Sequence, residues 1–346
     1  MKLTRVGITH GDINGIGLEL IAKALAAPEL MEFCTPVVFS DGDCFMQAAR
    51  LIDIEQPIPL EVIASAQDTM DGRVNLVNAC KEKTHIEWGK QTEASLKAEA
   101  DSLNAAIEAF KAGIIDVLVC APGQLDNNAD GHSLSDFVRR AIESEQKGFD
   151  WILNNRLRIL QLQPLEFTTE LGEGIVKEAF KTDMKSIVAQ LREDFGFIKP
   201  RIAIVSGKQD IASSLNELRD NGLVIFGPFA ADEFIEKRLY EHYDAVLFQE
   251  EEEARHKLIA SLSPDNTIGF ASGMPLILTY PIQSVGYDMA GKSMADATAM
   301  RNAIYASIDI CRSRRSYDEA TRKPLEKQWV PKCRDDFKLD LTKEDN

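Results

Sequence analysis

Short runs of consecutive apolar residues alternate along this chain with longer stretches in which apolar residues recur every three or four positions. The runs at Arg5 to Thr9, Pro36 to Ser40, Asp116 to Cys120, Arg158 to Leu162, Arg201 to Val205, Asp244 to Phe248 and Pro275 to Tyr280 read as strands apolar on both faces. Strands of that kind belong to parallel sheets covered by helices. Between them, Thr92 to Ala112 predicts a helix with Thr92 as N-cap, a stripe of Leu96, Leu103, Ile107 and Phe110, and Gly113 as the stop. A second helical stripe runs through Leu171, Ile175, Met184, Ile187 and Leu191 and ends near Gly196 and Pro200. The pattern predicts an α/β fold with a mainly parallel sheet. From Arg314 onward the chain is charged and poor in apolar periodicity, so a tail that wraps the surface or frays is expected.

Composition narrows the function. The chain has 346 residues, 45% of them hydrophobic, enough for a sizeable core and for two domains. With 55 acidic against 39 basic residues its formal charge is -16, which argues against nucleic acid or an anionic membrane as the main partner. No apolar run approaches the roughly 20 residues that span a bilayer, and MKLTRVGITH enters a strand at once. A soluble cytoplasmic protein is the expectation. The six cysteines are scattered, without paired metal-site spacing, and read as buried thiols; Cys120 at a strand end belongs with them.

The candidate chemistry begins at THGDINGIGLEL, directly after the first strand. Gly11, Gly15 and Gly17 permit positive φ or close backbone approach, and a helix starting near Gly15 would present free N–H groups to an anion, with Asp12 beside them. Packing of strand on helix would require the same glycines with no ligand, and spacing does not separate the two. His10 is expected at a surface turn. The loop matches neither the dinucleotide fingerprint nor a phosphate loop ending in Gly-Lys-Ser/Thr.

GITHGDINGIGLELIAKAL is similar to the opening of the 4-hydroxythreonine-4-phosphate dehydrogenase (PdxA-type) family, whose members read GDPxGIGPE after the first strand. IDVLVCAPGQLDNNADGHSLSDFV resembles that family's A-P-x-x-K and G-H-T-E segment. KPRIAIVSG, FGPFAADEFI, YDAVLF and SGMPLILTYPIQSVGYDMAGKSMAD follow in the family's order, so the likeness runs to about Arg314.

The resemblance implies a two-lobed architecture like that of isocitrate and isopropylmalate dehydrogenases. One lobe would hold residues 1–122 and 285–346, the other residues 123–284 with the interface of a homodimer. It also implies NAD, and a divalent metal held by three histidines from the T-T-H, N-P-H and Y-H-D-Q motifs. Here those columns fall at or near Leu165, on Asp210 and on Glu251. The lysine of A-P-x-x-K becomes Leu125, the arginine of R-T-S becomes Leu278, and H-G-T becomes Gln283-Ser284-Val285. What persists is the glycine loop, His132 and Ser133 in the G-H-T place that holds substrate phosphate, and Asp288, Gly291 and Lys292 near the nucleotide.

Three readings follow from that pattern. The first is a divergent homologue without the parent activity that binds a phosphorylated metabolite or nucleotide. The second is an NAD-dependent dehydrogenase with a changed substrate, its metal held by Asp210 and Glu251. The third is a regulatory or structural partner of an active homologue. Arg312, Arg314 and Arg315 are expected in salt bridges at the end of the last long helix.

Overall fold

The computed structural model describes residues 3–52, 58–124, 133–154, 157–162, 173–207, 211–262 and 266–322. In chain order these form β1 (Thr4–Thr9), α1 (Gly17–Leu25), α2 (Leu30–Phe33), β2 (Cys34–Ser40), α3 (Gly42–Leu51), β3 (Leu60–Ile63), β4 (Val74–Asn78), α4 (Glu93–Lys111) and β5 (Val117–Cys120). There follow α5 (Leu134–Ala141), β6 (Asp150–Asn154), β7 (Leu157–Leu162), α6 (Glu173–Phe195), β8 (Ile202–Val205), α7 (Ala212–Asp220), β9 (Ile225–Phe229) and α8 (Ala231–Glu236). The chain then runs through β10 (Ala245–Gln249), α9 (Glu252–Ser261), β11 (Thr267–Ala271), β12 (Ile277–Pro281) and α10 (Thr298–Arg322).

All twelve strands share one sheet in the order β3-β4-β2-β1-β5-β12-β11-β6-β7-β10-β8-β9. Parallel pairing runs from β3 to β12 and again from β7 to β9. Antiparallel pairing is confined, among the described residues, to β12–β11, β11–β6 and β6–β7, the middle of the sheet. The second parallel block therefore runs opposite to the first. The strands that pair on both sides are the most apolar: β2, β5, β8, β10 and β11 are buried along their whole length, as burial between two helical layers demands. The expected α/β class and mainly parallel sheet are what the chain adopts.

Each of the seven expected strands is present to within two residues at either end, and α4 is capped as expected. Thr92 accepts from the Ser95 N–H, and Ser95 returns a bond to the Thr92 N–H. Five strands were not anticipated: β3, β4, β6, β9 and β11. In β4 the reason is Asn75, a polar residue with no exposed surface whose side-chain amide donates to the carbonyls of Pro36, Met70 and Arg73. A polar residue satisfied in this way sits in a central strand at little cost.

The C-terminal expectation is corrected as far as Arg322, and residues 323–346 lie outside the described residues. Instead of leaving the fold at Arg314, α10 continues to Arg322. Arg314 Nε bonds Asp194 Oδ1 at 2.6 Å, Arg315 Nη2 bonds Asp116 Oδ1 at 2.8 Å, and Ser313 donates to the Glu193 carbonyl. The charges that suggested a loose tail pin this helix to α6 and to the approach of β5. Among the described residues, no helix is long and apolar enough to cross a membrane.

Candidate functional site

The glycine loop sits under the sheet's C-terminal edge and is buried throughout: His10, Asp12, Ile13 and Asn14 have no exposed surface. Gly11 has φ +63°, and a Cβ there would lie 2.1 Å from the Pro122 carbonyl oxygen. At Gly15 a Cβ would meet Val285 Cγ1 at 2.3 Å and the Val285 carbonyl oxygen at 2.5 Å, and at Gly17 the His10 carbonyl oxygen at 2.2 Å. Each glycine is thus required where two backbones touch.

Several N–H groups of the loop before the helix are engaged inside the protein. Asp12 N–H donates to the Pro122 carbonyl, Gly15 N–H to the Asp12 carbonyl and Ile16 N–H to the Val285 carbonyl. The helix itself begins two residues later, at Gly17. Asp12 accepts from the Asn14 N–H at 2.9 Å through Oδ1 and from the Tyr287 hydroxyl at 2.5 Å through Oδ2.

His10 is also corrected: it is a core residue and not a surface turn. Its Nδ1 lies 2.7 Å from the Gly11 carbonyl oxygen and its Nε2 lies 3.9 Å from Cys80 Sγ. Burial drives its pKa down to about 4, against the pull of the Gly11 carbonyl and of Asp12, so the imidazole is neutral at pH 7.

Beside this loop, at the C-terminal ends of β5 and β12, opens a cleft of about 740 Å³. One wall is Ala121 to Gln124, the other Tyr280 to Asp288, and Leu134 at the start of α5 reaches it as well. A crevice beyond the carboxyl ends of parallel strands is where open α/β sheets hold ligands. Two residues that sequence reasoning missed span it. Gln124 Nε2 donates to the Tyr287 hydroxyl at 3.0 Å, and that hydroxyl donates on to Asp12. Burial and the carboxylate together push the Tyr287 pKa up to about 12. The Gln124 N–H is held by Glu99 Oε2 at 3.0 Å. The available signal was the pair Gly286-Tyr287 beside Asp288, a turn with its tyrosine facing the loop.

The expected site residues distribute unevenly around this cleft. Asp288 and Lys292 lie exposed on the turn at its rim, with Lys292 Nζ donating to the Asp288 carbonyl at 2.7 Å. Gly291, at φ +73°, lets Trp88 lie 3.0 Å from where a Cβ would be. Ser133 caps α5: its hydroxyl accepts from the Asp136 N–H and lies 2.7 Å from Ser135 Oγ. His132, Leu125, Leu165 and Asp210 lie outside the described residues.

Leu278 is fully buried in β12 and packs in one apolar cluster with Leu118, Leu134 and Val138. Gln283 instead of histidine donates to the Asp296 carbonyl. Glu251 precedes α9, and its Oε1 accepts from the Gly207 N–H at 2.8 Å. Among the described residues no three His, Cys, Asp or Glu side chains converge to hold a metal ion. The described donor set does not fit one, Leu165 and Asp210 lying outside it, and no chemistry is derived through a metal.

The sequence pattern of the family described as "Pyridoxal phosphate biosynthetic protein PdxA" matches residues 32–307. A 4-hydroxythreonine-4-phosphate dehydrogenase of Bacteroides thetaiotaomicron is 29% identical, with 99% of this chain and 98% of that one covered. A putative D-threonate 4-phosphate dehydrogenase of Oceanobacillus iheyensis is 23% identical over 88% of this chain and 97% of its own. The solved structure of a putative 4-hydroxythreonine-4-phosphate dehydrogenase from Salmonella typhimurium superimposes with a TM-score of 0.70 at 19% identity. It covers 89% of this chain and 100% of that one, and supports the fold. The match spans most of the chain, and the protein belongs to the PdxA family.

Proposed function

We propose that this chain has given up the metal-dependent alcohol oxidation for which its relatives are named and retains a cleft that binds a phosphorylated metabolite or a nucleotide. The observation that carries this reading is Leu278. Where the family's arginine would meet the substrate, this chain places a side chain with no exposed surface, packed against Leu118 and Leu134. An apolar residue there cannot pair with an oxyanion, and the loss of one such group costs orders of magnitude in rate. The described lining of the β5–β12 cleft carries no lysine, arginine or histidine, and Asp288 is its one charged residue. Glu251, at a former ligand position, spends its carboxylate on the Gly207 N–H.

The retained binding would use Lys292 and Asp288 on the turn at the rim, together with Ser133 at the start of α5 and the neighbouring His132 of the G-H-T segment. NAD would enter as a bound nucleotide. A homodimer and the lobes 1–122 with 285–346 and 123–284 complete the proposal, as in the family.

Calorimetric titration of metal-stripped protein with manganese, magnesium and zinc tests the first half. The expected result is no binding near one ion per subunit. Such binding, lost in Asp210→Ala and Glu251→Ala, would favour an active dehydrogenase with a carboxylate-held metal instead. For the second half, titration with ADP and with NAD should give saturable binding to the full chain that weakens in His132→Ala and Lys292→Ala. Absence of any saturable heat would remove the nucleotide half of the reading.

A further inference from the structure

A cavity of about 340 Å³ shares no residue with the β5–β12 cleft and lies between the end of β6, the start of β7, the last turn of α6 and one face of α10. Helix α10 lines it with Asn302, Tyr305, Ala306, Asp309, Ile310 and Ser313, a stripe at helical spacing. Four of these six are polar, whereas the adjoining face, with Ala303, Ile304 and Ile308, is buried in the core and apolar. A stripe that closed on the fold would be apolar too. This one faces a space instead.

The polar groups around that space have bonding capacity left over. Asp194 is only 2% exposed; its Oδ1 accepts from Arg314 Nε at 2.6 Å, and its other oxygen takes no hydrogen bond among the described residues. Such an oxygen costs about 1–3 kcal/mol unless something outside the fold donates to it. Asn266 Oδ1 accepts from Asn302 Nδ2 at 3.1 Å, so the Asn266 amide N–H groups remain to donate. Tyr305 meets Phe33 edge-on through its ring, and its hydroxyl has no partner among the described residues.

The charges do not call for an ion. Arg158, Asp194 and Asp309 line the cavity; Arg314 lies 2.6 Å from Asp194 and 4.0 Å from Glu193, and Arg312 lies 3.8 Å from Asp309. Three cations thus stand with three carboxylates and neither sign is in surplus. The Arg158 guanidinium is also covered by Phe195 at 4.8 Å and Phe197 at 5.0 Å. Leu153, Leu157, Ile268 and Ile310 supply an apolar wall.

We propose that this cavity binds a neutral polyhydroxylated molecule of monosaccharide size. A hydroxyl both donates and accepts, as this mixed set requires. It donates to the second Asp194 oxygen and accepts from the Asn266 amide or the Tyr305 hydroxyl, while the C–H face of the ring lies on the apolar wall. The volume of the cavity is at the lower end of the range for small-molecule sites. This inference stands apart from the nucleotide reading: it uses no residue of the β5–β12 cleft.

The experiment is saturation-transfer NMR titration of the full chain with D-glucose, D-ribose and myo-inositol, and with D-gluconate and D-glucosamine as charged counterparts. Saturable binding is expected for at least one of the three neutral probes, and weaker binding for the two charged ones. Ala306→Leu fills the cavity, so it should abolish that binding while the melting temperature stays unchanged or rises. Tyr305→Phe removes one hydroxyl and keeps the ring against Phe33, and should weaken binding about two- to tenfold, the loss of one neutral hydrogen bond. If Ala306→Leu loses stability along with binding, Tyr305→Phe decides: weakened binding supports the proposal and unchanged binding overturns it. The proposal is also overturned if none of the neutral probes binds saturably, if a charged probe binds more tightly than all three, or if Ala306→Leu binds like the parent.

Discussion

The hydroxyl of Tyr287 donates to Asp12 Oδ2 across 2.5 Å, tying the turn after β12 to the buried loop after β1. Asp12 has no exposed surface, and besides this bond its carboxylate accepts the Asn14 N–H through the other oxygen. A family loop acid thereby becomes a structural acceptor. Tyr287→Phe removes the donor and leaves one oxygen of a buried carboxylate short of a partner. The expected cost is about 1–3 kcal/mol of unfolding free energy, read by denaturant titration. Gln124, whose amide donates to the same hydroxyl, should lose its fixed position as well.

Gly15 carries the argument that this loop is built for packing. Its missing Cβ is what allows the Val285 carbonyl oxygen to come near enough to accept the Ile16 N–H. Gly15→Ala places a carbon 2.5 Å from that oxygen, a backbone atom that cannot rotate away. A loss of about 3 kcal/mol or more is expected, and thermal unfolding measures it. A variant as stable as the parent would show that the glycine serves something other than this contact.

The pH dependence of stability has two opposed sources. His10, at about 4, titrates below its unfolded value of 6.5, so its contribution is complete above pH 6.5 and is lost as pH falls towards 4. The full effect is about 3 kcal/mol. Asp194 runs the other way. Burial raises its pKa from 3.8 to about 6 despite Arg314, so its contribution is complete below about pH 4 and disappears as pH rises through 6. His10→Gln should therefore flatten the loss of stability on acidification between pH 6.5 and 4, leaving the opposite trend of Asp194 visible. Urea midpoints taken across that range read both.

The parts of the fold visible in the chain are those in which one physical requirement dominates. An unbroken apolar run such as Val117 to Cys120 has nowhere to go but the centre of a sheet, and Thr92 followed by Ser95 announces a helix start. Asn75 in β4 conceals its strand, because its satisfaction comes from carbonyls at three different positions. His10 misled for the same reason: a lone histidine after a strand looks exposed until the loop over it is seen to be solid. Of the candidate site, the replacements at Leu278 and Glu251 could be read from the motifs, whereas the cleft's Gln124–Tyr287–Asp12 chain joins residues up to 275 positions apart.

The most direct test of the account is the reaction for which the relatives are named. Full-length protein is incubated with 4-hydroxythreonine 4-phosphate and NAD, in the presence of zinc, magnesium or manganese, and NADH is followed by its absorbance. The account predicts no rate above that without protein, with any of the three metals. Steady NADH formation that a chelator abolishes and added metal restores would contradict it.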